Sequence, residues 1–251
     1  MADPVFASDF NDAAVIGDVT GAMGWDNPSQ TAGSGVITLE TVVIPRVGTK
    51  SVKLVAPAYS STVVRAALQK VGFAFSAYTE AWIEWYLYLA SAASYRMLGL
   101  LDLEDADHPS GFTPGISLYV TGDRMLHAAL LRCGSGEPMG QVSAANNPIE
   151  NGMPIGRWMK MRAYLYFDAD PASGRVKVWR DDALIIDAIT RTMPPGLYVT
   201  DRIQLGITNH EAPVAQTAYI ADVKVWTADP GDGLSPGGGG RRGDLPKPET
   251  S

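Results

Sequence analysis

Two segments of the sequence place aromatic and charged side chains at alternate positions, which is the spacing of residues on one face of a β-strand. These segments are residues 79–90 and 156–167. Flat aromatic rings stack against the C–H faces of sugars, and neighbouring charged groups hydrogen-bond sugar hydroxyls. The pattern therefore predicts a glycan-binding face that consists of Trp82, Tyr86, Tyr88, Trp158, Lys160, Arg162, Tyr164 and Tyr166. The alternative is that these aromatic residues form a second small core beneath long loops, or a subunit contact.

Two carboxylates, Glu80 and Glu84, share the aromatic face of the first segment and raise the question of glycoside hydrolysis. Residues four positions apart in an extended strand are separated by about 13 Å, which exceeds the usual distance between two catalytic carboxylates. The geometry therefore favours a solvated or hydrogen-bonded role for both groups over a hydrolase.

Lyase chemistry needs a histidine or tyrosine base beside the bound sugar, and the chain has three histidines. His127 alternates with apolar residues between positions 125 and 131, which indicates a structural role. His210 follows a predicted strand, and its place in a loop makes it the better candidate base. His108 lies in an acidic loop. The single cysteine, Cys133, ends an alternating run and is predicted to be a small buried hydrophobe.

The elements that must position these residues are almost all predicted to be strands. Residues 156–187 predict a three-stranded meander, in which Pro171 fixes φ in the first turn and Gly174 permits a positive φ. About a dozen strands and no helix are predicted along the chain, which indicates an all-β, antiparallel sandwich of two sheets.

Composition sets limits on the class of partner. The chain has 251 residues, of which 46% are hydrophobic, a formal charge of −7 and a pI near 4.9. It can bury a full core, and its negative field repels nucleic acid. The sequence shows neither a signal peptide nor an apolar segment long enough to span a membrane, so we expect synthesis in a cytoplasm without membrane insertion. The tail, residues 228–251, is rich in Gly and Pro and is expected to be ordered only by a partner.

The order of motifs resembles the concanavalin-A-like jelly-roll superfamily, in its laminin-G-like or polysaccharide-lyase-like branches. The resemblance rests on FASDFND near the start, SVKLVAP from Ser51, GRW at Gly156, RVKVWRDDALI, and YIADVKVW at residues 219–226. It covers roughly residues 3–227 and implies one jelly-roll domain over residues 1–227, followed by the tail. In that superfamily one sheet is concave and often carries a glycan site.

Small jelly rolls of this kind also occur as tail and surface proteins of bacteriophages. The resemblance therefore implies a non-catalytic structural or adhesion module of a virus particle, such as a phage minor tail or capsid-decoration protein on the virion surface. The expected partners are a cell-surface polysaccharide, neighbouring virion subunits or further copies of the chain. The alternative is a polysaccharide-active enzyme, a lyase rather than a hydrolase.

The same resemblance implies that the first and last strands lie close together. Asp9 and Asn11 follow the first predicted strand, and Asp222 lies in the last one. Oxygen ligands that converge from two strands suit a hard cation, so Ca²⁺ is a candidate cofactor at these three residues. Ordinary turn carboxylates, with an Asx-turn at Asn11, are the competing interpretation.

Overall fold

The computed structural model describes residues 2–21, 23–30, 35–43, 48–60, 64–90, 97–105, 115–131, 141–143, 152–194 and 199–231. The predictions for His108, for Cys133 and for most of the tail therefore lie outside the described residues. Within those ranges the only helix is α1 (Ile16–Thr20). The strands are β1 (Phe6–Ser8), β2 (Asn27–Gln30), β3 (Val36–Glu40), β4 (Ser51–Ala56), β5 (Ala66–Phe75), β6 (Glu80–Leu89), β7 (Leu98–Glu104), β8 (Gly115–Val120), β9 (Leu126–Leu131), β10 (Gln141–Ser143), β11 (Trp158–Tyr166), β12 (Arg175–Arg180), β13 (Ala183–Ile189), β14 (Thr200–His210) and β15 (Gln216–Trp226).

The strands form two antiparallel sheets, which confirms the predicted all-β sandwich. Sheet A has the order β13-β12-β11-β6-β15-β4-β3, with β1 also paired to β15. Sheet B has the order β10-β9-β8-β7-β14-β5-β2. No helix in the described part of the chain is long and apolar enough to cross a membrane.

The core lies between the two sheets and is built by alternate residues of each strand. In β11 and just after it, Met159, Met161, Ala163, Leu165 and Phe167 are completely buried, as the period-two pattern predicted. Sheet B contributes alternate residues of β8 and β9 to the same cluster. Each fully buried side chain of leucine, methionine or phenylalanine stabilises the fold by about 1.5–3 kcal/mol. The packing of these side chains therefore holds the inner faces of sheets A and B together.

A bulge in β7 changes which of its side chains face the core. Leu100 and Leu101 are neighbours in sequence, yet both belong to the core cluster. The pairing of β7 with β8 shifts register between Gly99 and Leu101. After the bulge the alternation resumes in the opposite phase, so Asp102 and Glu104 point away from the core.

Residues 11–35 are not one continuous loop, and the turn after β11 differs in detail from its prediction. Residues 11–35 contain α1 and β2, and within them Trp25 is buried, with its ring 5.1 Å from that of Phe6. The predicted turn after β11 is present, because Ser173 and Gly174 donate backbone hydrogen bonds to the Asp170 carbonyl oxygen. Gly174 is not among the residues with positive φ. A Cβ there would lie 2.2 Å from the Thr190 carbonyl oxygen, so close approach is what requires glycine.

Candidate functional site

The eight residues of the predicted glycan-binding face all lie on the outer face of sheet A. This follows from the register of β6 with β11, in which Trp158 pairs with Tyr88, Lys160 with Tyr86, and Tyr164 with Trp82. The outer face of sheet A is therefore a continuous surface of aromatic and charged residues, assembled from strands that are far apart in the sequence.

Much of this aromatic surface is used for packing within the face. Trp82, Tyr164, Trp179 and Trp226 form one cluster, and Trp158, Tyr219 and Ala221 form a second. The exposed fractions of Trp82 and Trp158 are only 1% and 8%. Tyr86, Tyr88, Tyr166 and Lys160 are half-buried and keep part of their surface for a ligand. Glycan binding at this face stays a prediction.

A buried ion-pair network separates the two aromatic clusters. The Arg162 guanidinium donates through Nε and Nη2 to one oxygen of Glu84, and the Lys160 ammonium lies 3.1 Å from the same oxygen. Burial lowers the pKa of Lys160, but the charge and hydrogen bond of Glu84 outweigh burial and raise the pKa above its usual value. Glu84 is thus a hydrogen-bonded partner of two cations, which is the role favoured over a hydrolase.

The first and last strands are neighbours, as the calcium prediction required. Asp9 and Asp222 line a cavity of about 690 Å³. Asp9 accepts hydrogen bonds from the backbone and side-chain amides of Asn11, and Asp222 pairs with Lys224 at 2.8 Å. Among the described residues no three His, Cys, Asp or Glu side chains are arranged to hold a metal. Calcium at Asp9, Asn11 and Asp222 stays a prediction.

The structure overturns the prediction that His210 is a base in a loop. His210 is completely buried. Its Nε2 lies 2.7 Å from the Pro57 carbonyl oxygen, and its Nδ1 accepts a hydrogen bond from the Ala212 amide. Burial lowers its pKa. His210 is therefore a structural residue whose ring bonds the backbone. His127, which was predicted to be structural, is half-buried on the outward side of sheet B, because the core face of β9 is Leu126 and Ala128.

The outward side of sheet B is a second surface with functional side chains, and sequence reasoning missed it. It is formed by β5, β7, β8, β9 and β14, which lie next to one another. In the register of these strands Asp102 pairs with both Gln204 and Ser117, Glu104 pairs with Arg202, and Tyr119 pairs with His127. We call this surface the polar face; its residues are Gln69, Asp102, Glu104, Ser117, Tyr119, His127, Arg202 and Gln204.

Two carboxylates on this face have different environments. The Arg202 guanidinium donates to one oxygen of Glu104 at 3.1 and 2.5 Å, which is a charge-assisted contact. Burial, together with the charge of Glu104, raises the pKa of Asp102 to about 6, although nearby hydroxyls and Arg65 oppose the rise. Asp102 Oδ1 and Gln204 Oε1 are buried and have no hydrogen-bond partner among the described residues.

Tyr119 and His127 form a pair on the polar face. Their rings stack with centroids 5.2 Å apart and planes at 15°. Burial lowers the pKa of His127, with Asp123 opposing the shift, and burial raises the pKa of Tyr119. Near neutral pH the imidazole is therefore available as a base, while the phenol keeps its proton. A base and an acid side by side are the two groups that a proton-transfer reaction needs.

The fold of the chain is similar to the folds of several solved proteins. No protein-family model and no curated protein sequence matches the chain. Three solved structures that it resembles are an endo-β-1,4-glucuronan lyase from the fungus Trichoderma reesei, the cellulose induced protein Cip1 and the alginate lyase Aly36B. The TM-scores are 0.69, 0.61 and 0.60, at 12%, 15% and 10% sequence identity. The matches cover 90%, 89% and 89% of this chain and 96%, 97% and 97% of those chains.

At these identities the likeness shows a shared fold, which agrees with the concanavalin-A-like superfamily predicted from the sequence. The bacteriophage context stays a prediction.

Proposed function

We propose that the protein binds an acidic polysaccharide on the polar face of sheet B and cleaves it by β-elimination. The stacked pair of Tyr119 and His127 carries the proposal, because it places a neutral imidazole beside a protonated phenol on an outward-facing surface. Two of the proteins that share the fold are named as lyases of glucuronan and of alginate, and this also supports the assignment.

The reaction balances with these two groups. His127 removes the proton on the carbon next to the uronate carboxyl group, and that electron pair forms a carbon–carbon double bond. The bond from the neighbouring carbon to the glycosidic oxygen breaks. Tyr119 donates its phenolic proton to the departing oxygen, so the products are a new chain end and an unsaturated uronate. Proton return from the imidazolium to the phenolate, directly or through water, restores the site.

An acidic substrate needs cationic groups near the site, and two arginines lie close to it. Arg65 lies near enough to Asp102 to lower its pKa, and Arg202 lies next to Glu104. Asp102 pairs with Ser117, which lies two residues along β8 from Tyr119, a separation of about 7 Å that is close to the length of one sugar unit. A sugar next to the scissile bond would therefore lie near Asp102.

The test is incubation of the purified chain with glucuronan, alginate and a neutral glucan while the ultraviolet absorbance of unsaturated uronates is recorded. We expect absorbance to rise only with a uronate polymer. His127→Ala and Tyr119→Phe should each lower the rate by about 10²- to 10⁴-fold, which is the usual contribution of a general acid or base. Tyr78→Phe, which removes an exposed phenol from the turn between β5 and β6, is the matched control and should keep the wild-type rate.

Absence of cleavage with every uronate polymer, or equal rates in the wild type and in both variants, would overturn the proposal. Retention of a polysaccharide without cleavage would instead support the adhesion module predicted from the sequence. The role on a virus particle, with virion subunits or further copies as partners, remains a separate prediction. The division into a domain of residues 1–227 and a tail also remains a prediction.

A further inference from the structure

The turn between β8 and β9 connects a carboxylate to His127 through a hydroxyl group. The Thr121 hydroxyl lies 2.5 Å from Asp123 Oδ1 and 2.9 Å from His127 Nε2. The turn itself is closed by backbone hydrogen bonds, from Thr121 to the Met125 carbonyl oxygen at 3.0 Å and from Arg124 to the Thr121 carbonyl oxygen at 2.8 Å. The same Asp123 oxygen also accepts from the Met125 amide at 3.1 Å, so the carboxylate is fixed in place.

The number of protons available in this series of hydrogen bonds determines whether each atom donates or accepts. A threonine hydroxyl has one proton to donate and can accept further hydrogen bonds. A separation of 2.5 Å between a hydroxyl and a carboxylate oxygen is typical of a charge-assisted hydrogen bond, so the proton points to Asp123. Hydrogen bonds to Thr121 and Met125 lower the pKa of Asp123, which keeps it ionised as an acceptor. His127 Nε2 must then be the donor to the Thr121 oxygen.

We propose that Thr121 and Asp123 are positioning residues that hold the neutral His127 ring as the Nε2–H tautomer, so that Nδ1 is its basic nitrogen. The catalytic meaning of this assignment rests on the function proposed above, whereas the tautomer itself does not. The hydrogen bond also fixes the rotation of the imidazole, which keeps the ring parallel to Tyr119.

This arrangement also suits the protonated state of the ring. When Nδ1 takes a proton, the imidazolium keeps its Nε2–H bond to the Thr121 oxygen. The Asp123 carboxylate behind that hydroxyl then stabilises the positive charge, in the way that an orienting carboxylate supports a catalytic histidine elsewhere. Thr121 and Asp123 touch no substrate in this scheme; they act through His127.

Nuclear magnetic resonance of the imidazole nitrogens tests the tautomer without any substrate. The chain has three histidines, so His127→Ala identifies the His127 signals. At a pH where the ring is neutral we expect the Nε2–H form in the wild type and in Thr121→Ser, which keeps the hydroxyl. Thr121→Val should give a mixture of tautomers. Asp123→Asn should increase the Nδ1–H form, because the threonine hydroxyl is then able to donate to Nε2. Backbone amide spectra confirm that each variant is folded.

In cleavage assays Thr121→Val should lower kcat by about 10- to 100-fold with little change in KM, and Thr121→Ser should restore most of the rate. A wild-type ring in the Nδ1–H form, or a tautomer that is unchanged in both Thr121→Val and Asp123→Asn, would overturn the inference. If the tautomer responds as expected but no polysaccharide is cleaved, the positioning stands and the proposed function fails. If cleavage requires His127 but its tautomer does not change when Thr121 is replaced, only the inference about positioning fails.

Discussion

Replacement of Asp102 by asparagine should make the protein more stable at neutral pH. Asp102 is 5% exposed and lies next to Glu104 on the polar face. Its pKa rises from an ordinary value of 3.8 to about 6, chiefly because burial disfavours the charge and then because of the neighbouring carboxylate. An amide occupies nearly the same volume and carries no charge, so it avoids the cost of ionisation in this position.

The size and sign of the effect follow from proton linkage. The native state keeps the Asp102 proton up to about pH 6, whereas the unfolded chain loses it near pH 4. Stability is therefore greatest below about pH 4 and falls as the pH rises through about 6. The two pKa values differ by roughly two, and each pKa unit corresponds to about 1.4 kcal/mol, so ionisation costs on the order of 3 kcal/mol.

Urea unfolding followed by tryptophan fluorescence, at several pH values between about 4 and 8, measures this cost. We expect the free energy of unfolding of Asp102→Asn, measured relative to that of the wild type, to increase by on the order of 3 kcal/mol from the low to the high end of that pH range. Asp182→Asn, at a carboxylate that is 61% exposed and lies 3.6 Å from the Lys160 ammonium, is the matched control. It should change stability by less than about 1 kcal/mol. A stability difference for Asp102→Asn that is independent of pH would refute the reasoning.

Four further single substitutions test the structural roles of individual residues by urea unfolding. Glu84→Ala should destabilise the fold by about 3–5 kcal/mol, because Arg162 is left as an uncompensated buried charge. The double variant Glu84→Leu with Arg162→Met removes both charges and should recover most of the lost stability. His210→Ala should cost about 2–5 kcal/mol, yet the folded protein should keep its cleavage rate. Gly206→Ala should cost several kcal/mol, since φ is +129° and a Cβ would lie 2.5 Å from a core leucine. Gly156→Ala, with φ of +76° and open space, should cost about 1–2 kcal/mol.

The fold could be predicted from the sequence because its longest strands have one consistently apolar face. In β11 the apolar positions from Met159 to Phe167 are all buried, and the opposite positions form the outer face of sheet A. Period-two alternation is a local property, so it identifies strands without knowledge of their neighbours. Packing on the outer face is different, because Trp82 is covered by Tyr164 and Trp179, which come from strands remote in sequence. The sequence therefore left open whether that tryptophan is buried in a second small core or exposed to a ligand.

The polar face was missed for a related reason, which also indicates how similar sites can be found. Strand β9 alternates His127 with apolar residues on both sides, so composition alone does not decide which set faces the core. In β7 the bulge at Gly99 reverses the phase, and only the phase after the bulge directs Asp102 and Glu104 outward. One signal was present: two acids at alternate positions inside an otherwise apolar strand. Acids that face a core are far too costly to be common. Such a pair therefore indicates the outward face of its strand. Further residues of the site are then expected at the positions that pair with the two acids on the neighbouring strands.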